Sequence, residues 1–296
     1  MLIADLVING LITGVFYALM AVGLALIFGV LKVVNFAHGE FYMIGAYVYV
    51  VLANLLGVSV WFALPGALLA GAMLGWATER TLMRPLYSGY KNWNNFKDEY
   101  AIIVTFGLSL LLINLVDKGI GPYPFRGLPV VDIQRIELGP IMLSGHRLVA
   151  FVLSIGVLVA AAWFLRYSYW GRLVQAVAQN RLGASLAGIN TAKASAIVFA
   201  TSGALAAFAG ALLSPMINAS PEVGIFPAVK SYVIVVLGGM GSVPGAIIGA
   251  LGLGVLESLA AVYISFDHRD TYGLVILILV LLLRPQGLMG EKGRDV

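Results

Sequence analysis

The feature that most constrains this chain is a succession of apolar runs, most of them long enough to cross a lipid bilayer, separated by short polar segments. An α-helix rises about 1.5 Å per residue, so crossing about 30 Å of hydrocarbon takes about 20 apolar residues. Such runs lie at 6–30, 41–57, 60–78, 101–117, 148–166, 194–213, 231–243, 245–263 and 271–284, the seventh to ninth being short or broken by glycine. Only 11% of the 296 residues are charged and 60% are hydrophobic, where soluble domains carry about 25% charge. A water-soluble globule of this size has no interior large enough for that much apolar surface. Lipid is the solvent for most of it.

The expected fold class is therefore all-α: a polytopic integral membrane bundle of about eight or nine transmembrane or half-membrane helices. It forms one transmembrane domain over residues 1–296. Glycine supplies 35 residues, which suits helices that cross closely and associate through packing and weak polar contacts. The first apolar run follows "MLIAD" rather than a basic leader, so it is expected to remain as a span.

Charge sets the expected orientation. Arg166, Arg172, Arg181 and Lys193 share a segment with no acid, Arg80, Arg84, Lys91 and Lys97 share another, and the tail carries Arg284, Lys292 and Arg294. Basic loops stay on the cytoplasmic side. Counting spans outward from them puts the N-terminus outside, the C-terminus in the cytoplasm and segment 118–147 outside. That segment alternates apolar and polar residues with Gly-Pro punctuation, which predicts a small external hairpin.

Several chemistries are excluded or disfavoured. There is no cysteine, and the three histidines are not clustered with other ligands, so no metal site is expected. No Gly-Lys-Ser/Thr phosphate loop occurs, so any ATP is bound by another chain. The net charge of +4 says little about nucleic acid in a chain whose basic residues serve topology, and no nucleic-acid partner is expected.

Three polar features remain. "NFAHGE" (35–40) sets His38 and Glu40 between two apolar runs. Ionisable groups at such depth face the bundle interior or water, so Asn35, Phe36, His38, Gly39 and Glu40 are candidates for a translocation pathway or gate. The competing reading is a helix start, with Asn35 as N-cap and Glu40 at the positive end of the dipole. Second, "VLGGMGSVPGAIIG" (236–249) breaks an apolar run with Gly238, Gly239, Gly241, Pro244 and Gly245. Backbone groups freed there need protein or a water-filled cavity, which suggests a pathway-lining or hinge element, or else a tight turn between two short spans. Glu257 and Asn114 lie within spans and are expected to bridge helices.

The third feature is "GRLVQAVAQNRLGASLAGIN" (171–190), basic, acid-free and helically patterned through Leu173, Val174, Val177, Leu182, Leu186 and Ile189. Small residues between these favour docking into a groove on another protein over immersion in lipid.

With these segments in hand, the chain resembles the LivH-type permease subunits of ABC importers for branched-chain amino acids. The likeness runs through 9–47, 171–190, "GALAAFAGALL" (203–213), 236–257 and "LILVLLLRPQGLMG" (277–290). It implies a bacterial inner-membrane permease paired with a second, related permease, as a heterodimer or alternatively a homodimer. Two cytoplasmic ATPases would consume ATP-Mg, and an external binding protein would deliver substrate. The permease itself would bind no cofactor and carry no enzymatic activity. The resemblance makes 171–190 the ATPase-coupling helix, with Gly171, Arg172, Ala176, Gln179, Ala184 and Gly188 as its candidate contacts. Members of the family often carry acids in the middle of this element; here Gln175 and Gln179-Asn180-Arg181 stand in those places. Transport would follow alternating access. Alternatives are a permease of the same family for urea, short amides or another small solute, and an ion-coupled secondary transporter acting alone.

Overall fold

The computed structural model describes residues 2–86, 96–132, 136–138 and 141–290. The candidate cations Lys91, Lys292 and Arg294 lie outside the described residues. The chain is almost wholly helical. Its helices are α1 (Leu2–Leu31), α2 (His38–Val50), α3 (Val60–Thr78), α4 (Lys97–Gly119), α5 (Gly145–Tyr167), α6 (Tyr169–Gln179), α7 (Arg181–Leu186), α8 (Thr191–Leu213), α9 (Ile225–Gly238), α10 (Val243–Tyr263) and α11 (Arg269–Leu283). Single π turns extend α2 through Val51–Leu55 and α3 through Glu79–Met83. In the expected hairpin region, β1 (Ile136–Leu138) pairs antiparallel with β2 (Ile141–Leu143).

Six helices are long and apolar enough to cross a bilayer alone: α1, α3 with its π turn, α4, α5, α8 and α10. The passes containing α2, α9 and α11 use α-helices of only 13, 14 and 15 residues, the first lengthened by its five-residue π turn. A helix of 14 residues reaches about 21 Å and one of 18 about 27 Å, so the first two of these passes are completed by non-helical chain.

The centre is α1 and α8, whose most apolar stretches are 78% and 67% buried, whereas those of α4 and α5 are 22% and 17% buried. Helix α1 packs chiefly on α10 and α8, and α8 also receives α2 and α3. Small residues make these crossings close. A side chain at Gly45 of α2 would collide with the backbone of Ala207 in α8, and one at Gly254 of α10 with Gly10 and Gly14 of α1. Lipid provides no drive to bring helices together, so contact at this distance supplies the dispersion energy that does.

The two ends of the bundle differ. At one end lie the α1 C-terminus, α6, α7 and residues 284–290; we refer to it as the basic end. At the other, the Phe125 and Ala219 backbones exchange hydrogen bonds of 2.8 Å, and Tyr49 donates to Leu128 O at 2.7 Å. His146 closes this second end by taking the Val130 N–H on Nδ1 at 3.1 Å while its Nε2 lies 3.0 Å from Leu212 O.

Candidate translocation and coupling sites

Residues 32–37 do not turn at the membrane surface. After α1 ends, Lys32 takes a left-handed conformation (φ 57°), and Lys97 of α4 donates to the last carbonyl of α1, Leu31 O, at 2.5 Å. A cation there complements the negative helix end. The chain then climbs back along α1. His38 is fully buried, with Nε2 3.0 Å from Met20 O and Nδ1 3.5 Å from Ser202 Oγ of α8. Met20 lies eleven residues before Leu31, about 16 Å into the bundle. Helix α2 thus starts near mid-depth and runs to the far end.

Asn35 is not the N-cap. Ala37 occupies that position without a side-chain cap, and Asn35, two residues earlier, accepts the Ala37 N–H on Oδ1 at 3.1 Å. The Asn35 carbonyl accepts from His38 N at 3.2 Å and from the Tyr232 hydroxyl of α9. Phe36 N donates to Thr105 Oγ1 at 3.1 Å, and its exposed ring stands 5.7 Å from Tyr232. Glu40 sits in the first turn of α2, is 5% exposed, and has the Ser109 hydroxyl of α4 within reach. The polar face of α4 that meets α2, Thr105 and Ser109, is one helical turn apart.

A second re-entrant pass mirrors the first. Residues 214–224 enter from the end opposite to 32–37, and the N-cap of α9 is Gly224, whose backbone abuts Gly39 so closely that a Cβ on either would strike the other's carbonyl. The two half-helices meet start to start and run to opposite ends.

The Gly/Pro break lies where α9 ends, at the basic end. Gly239 and Gly241 have φ of 101° and 88°, a region costly for residues with a Cβ. Ser242 N-caps α10 by accepting Gly245 N–H at 3.1 Å, and Pro244 occupies its first turn, where a missing N–H costs nothing. Gly238 and Gly245 abut. The carbonyls of Leu237 and Gly238, freed by the break, accept from Leu288 and Met289 at 2.8 and 2.9 Å. Protein therefore satisfies the broken ladder.

The two groups of pathway candidates are consequently separate, Asn35–Glu40 at mid-depth and 238–245 at the basic end, joined by the length of α9. A half-open cavity of about 1120 Å³ lies at the basic end, lined among others by Gly29, Lys32, Gln179, Val236, Gly241 and Gln286. It brings the glycine break and the end of α6 to one space.

The 171–190 segment is two helices rather than one. Ser168 caps α6 through Gly171 N (2.8 Å), Asn180 caps α7 through Gly183 N (2.8 Å), and Asn190 caps α8 through Lys193 N (2.9 Å). The apolar face of α6 is used within the chain: Gly171, Val174 and Val177 are buried, with Gly171 pressed on the Phe164 and Leu165 carbonyls. Gln175 donates to Leu165 O at 2.7 Å. Arg172 and Gln179 are exposed, and Ala176 is half-buried. In α7, Ala184 is only 6% exposed, whereas Leu182 and Leu186 are 72% and 82% exposed and Gly188 lies open. The free apolar face therefore belongs to α7, on the side away from Ala184, with Leu182 and Leu186 one turn apart. Arg181 turns inward, 3.4 Å from Ser195 Oγ, and burial lowers its pKa against the opposing pull of Glu79.

Glu257 is fully buried and bridges four helices. It accepts from Tyr17 of α1 at 2.9 Å, is ion-paired with Lys230 of α9, and lies 3.8 Å from Arg269 Nε of α11. Asn114 behaves differently: it is exposed and donates to Leu110 O of its own helix at 2.7 Å, so it joins no second helix. The sequence reading missed Tyr232, Lys230, Tyr17 and Ser109. A lysine at the edge of an apolar run, with a glutamate deep in the next, was the available signal for one pair. Among the described residues, no group of three acidic or histidine side chains is placed to hold a metal ion.

The model of the branched-chain amino acid transport system permease component matches residues 6–283. The chain belongs to this permease family. It is 35% identical to the high-affinity branched-chain amino acid transport system permease protein LivH of Escherichia coli K12, over 96% of this chain and 94% of that one. It is 32% identical to BraD of Pseudomonas aeruginosa, with the same coverage. It also matches LivM of E. coli K12 at 27% identity, over 92% of this chain and 67% of that one. No solved structure matches it significantly. The permease is a multi-pass membrane protein, and its relatives are transport permeases rather than enzymes.

Proposed function

We propose that this permease is the membrane-spanning subunit of an ATP-driven importer for branched-chain or other hydrophobic amino acids, in a bacterial inner membrane. The observation that carries the ATP-driven part is the apolar α7 face of Leu182 and Leu186, held out from the bundle at its basic end. Leucines so exposed beyond the transmembrane helices suit a groove on a cytoplasmic ATPase. The match to LivH and, more distantly, to LivM supports a second, related permease beside this one.

In this reading the basic end is cytoplasmic and the α2–α9 half-helices lie on the transport path. An external binding protein delivers the amino acid to the end carrying residues 120–131 and 214–219. ATP-Mg bound by the partner subunits shifts the population of the bundle between outward- and inward-open forms. Movement of α7 passes to the adjoining α6, whose Gln179 lines one cavity with Gly241 and with Val236 of α9.

The test is reconstitution in liposomes with the ATPases, second permease and binding protein. Leucine uptake is expected only with ATP inside the cytoplasmic compartment. Uptake by the permease alone under an ion gradient, without ATP, would establish a secondary transporter instead.

A further inference from the structure

We propose that Asn35 and Glu40, at the meeting of the α2 and α9 N-termini, form a mid-depth subsite for the zwitterionic head of a free amino acid. The inference rests on the permease carrying an amino acid, and adds where and how its head group is held.

Depth comes first. The position of His38 beside Met20 and Ser202 puts the α2 start about eleven residues from the nearer ends of α1 and α8, close to half of a 30 Å hydrocarbon layer. Gly39 and Gly224 touch there, so two helix starts, each with about half a positive charge, converge on one point in low dielectric. Half-helices arranged in this way favour an anionic substrate group.

The second observation is independent of the dipoles. Asn35 is 0% exposed and its Nδ2 has no hydrogen-bond partner, while Glu40 is 5% exposed and its Oε2 has none either. Native proteins pair nearly all such buried atoms. The Asn35 amide is held over the α2 start, because its other atom, Oδ1, accepts the Ala37 N–H. One unpaired donor and one unpaired acceptor, five residues apart on either side of the α2 start, are what an α-carboxylate and an α-ammonium would complete. The carboxylate takes the Asn35 amide and the helix dipoles; the ammonium takes Glu40.

An apolar surface adjoins the pair. Phe36, Phe226 and Val229 are exposed, and Tyr232, which anchors the Asn35 carbonyl, meets the Phe36 ring at a tilt of 38°. Phe226, Val229 and Tyr232 recur at helical spacing on one side of α9, and Val236 continues that side into the cavity at the basic end. An aliphatic side chain lies against this stripe with the head at its upper end.

The experiment measures binding of three probes to the purified permease complex without binding protein: L-leucine, L-leucinamide, which lacks the carboxylate, and 4-methylpentanoate, which lacks the ammonium. Wild type is expected to bind leucine at least about tenfold more tightly than either analogue. Glu40→Gln should bring leucine down to the level of 4-methylpentanoate, and Asn35→Ala should bring it down to that of leucinamide. Equal binding of all three by wild type, or loss of all three probes alike in both folded variants, would overturn the subsite; the wild-type comparison holds even if a variant fails to fold. Absence of ATP-driven uptake with leucine discrimination intact would instead refute the importer reading and leave the subsite standing.

Discussion

Lys230 of α9 and Glu257 of α10 form an ion pair inside the bundle, with the lysine side chain 11% exposed and the glutamate wholly enclosed. Tyr17 adds a hydrogen bond from α1, and Asp270 of α11 holds the lysine from the other side at 2.8 Å. Four helices are tied at one point, among them α9, whose ends carry both groups of pathway candidates. Removing one member of a buried pair leaves the other charge uncompensated, at about 3–5 kcal/mol. Glu257→Leu is therefore expected to lower the melting temperature sharply in detergent. The double change Glu257→Leu with Lys230→Met should recover part of the loss, because the buried lysine is then gone, while the exposed Asp270 meets water in its place. Tyr17→Phe removes one bond to a charged group and should cost about 1.5–3 kcal/mol.

His38 is expected to act as a strut between α1 and α8. Its contact with Met20 O at 3.0 Å has good geometry, whereas Ser202 stands at 3.5 Å, near the limit of a useful hydrogen bond. His38→Ala should cost about 3 kcal/mol through the lost bond and the cavity left behind. Ser202→Ala should cost under about 1 kcal/mol. Melting curves of the two variants give the ranking.

Gly45→Ala is expected to push α2 off α8, since Ala207 backbone fills the space a Cβ needs. Overpacking of this kind costs about 1–3 kcal/mol, more where the obstacle is backbone. Gly107 of α4 has nothing within 4 Å, so Gly107→Ala should be neutral or stabilising by up to about 1 kcal/mol through helix propensity. Thermal stability of the two alanine variants, measured side by side, separates packing from propensity.

On the α7 face, Leu182→Glu and Leu186→Glu should weaken association with the ATPase subunit at least about tenfold, read by pull-down or sedimentation. Permease stability should stay within about 0.5 kcal/mol of wild type. Ala184→Arg should destabilise the permease itself, because Ala184 is enclosed against its own bundle. Full ATPase binding by the leucine variants would remove α7 from the coupling role.

Much of the fold was legible in the sequence. A run such as 194–213 or 245–263 is too apolar and too long to be anything but a helix within lipid, because no water is there to satisfy an open backbone. Even the caps are local: Ser168, Asn180, Asn190 and Ser242 each bond the N–H three residues on. Composition and period alone therefore established the all-helical membrane bundle, the interruptions at 35–40 and 238–245, and the basic segment at 171–190. They could not say at what depth an interruption lies. That NFAHGE climbs to Met20 instead of turning at the surface, that Gly39 meets Gly224, that α6 spends its apolar face on its own bundle while α7 leaves Leu182 and Leu186 free, and that Glu257 finds Lys230, were decided only by tertiary packing. The physical reason is that a residue's local pattern sets its helix, whereas its burial and its polar partner depend on which other helix approaches, and those approaches join positions up to 252 residues apart.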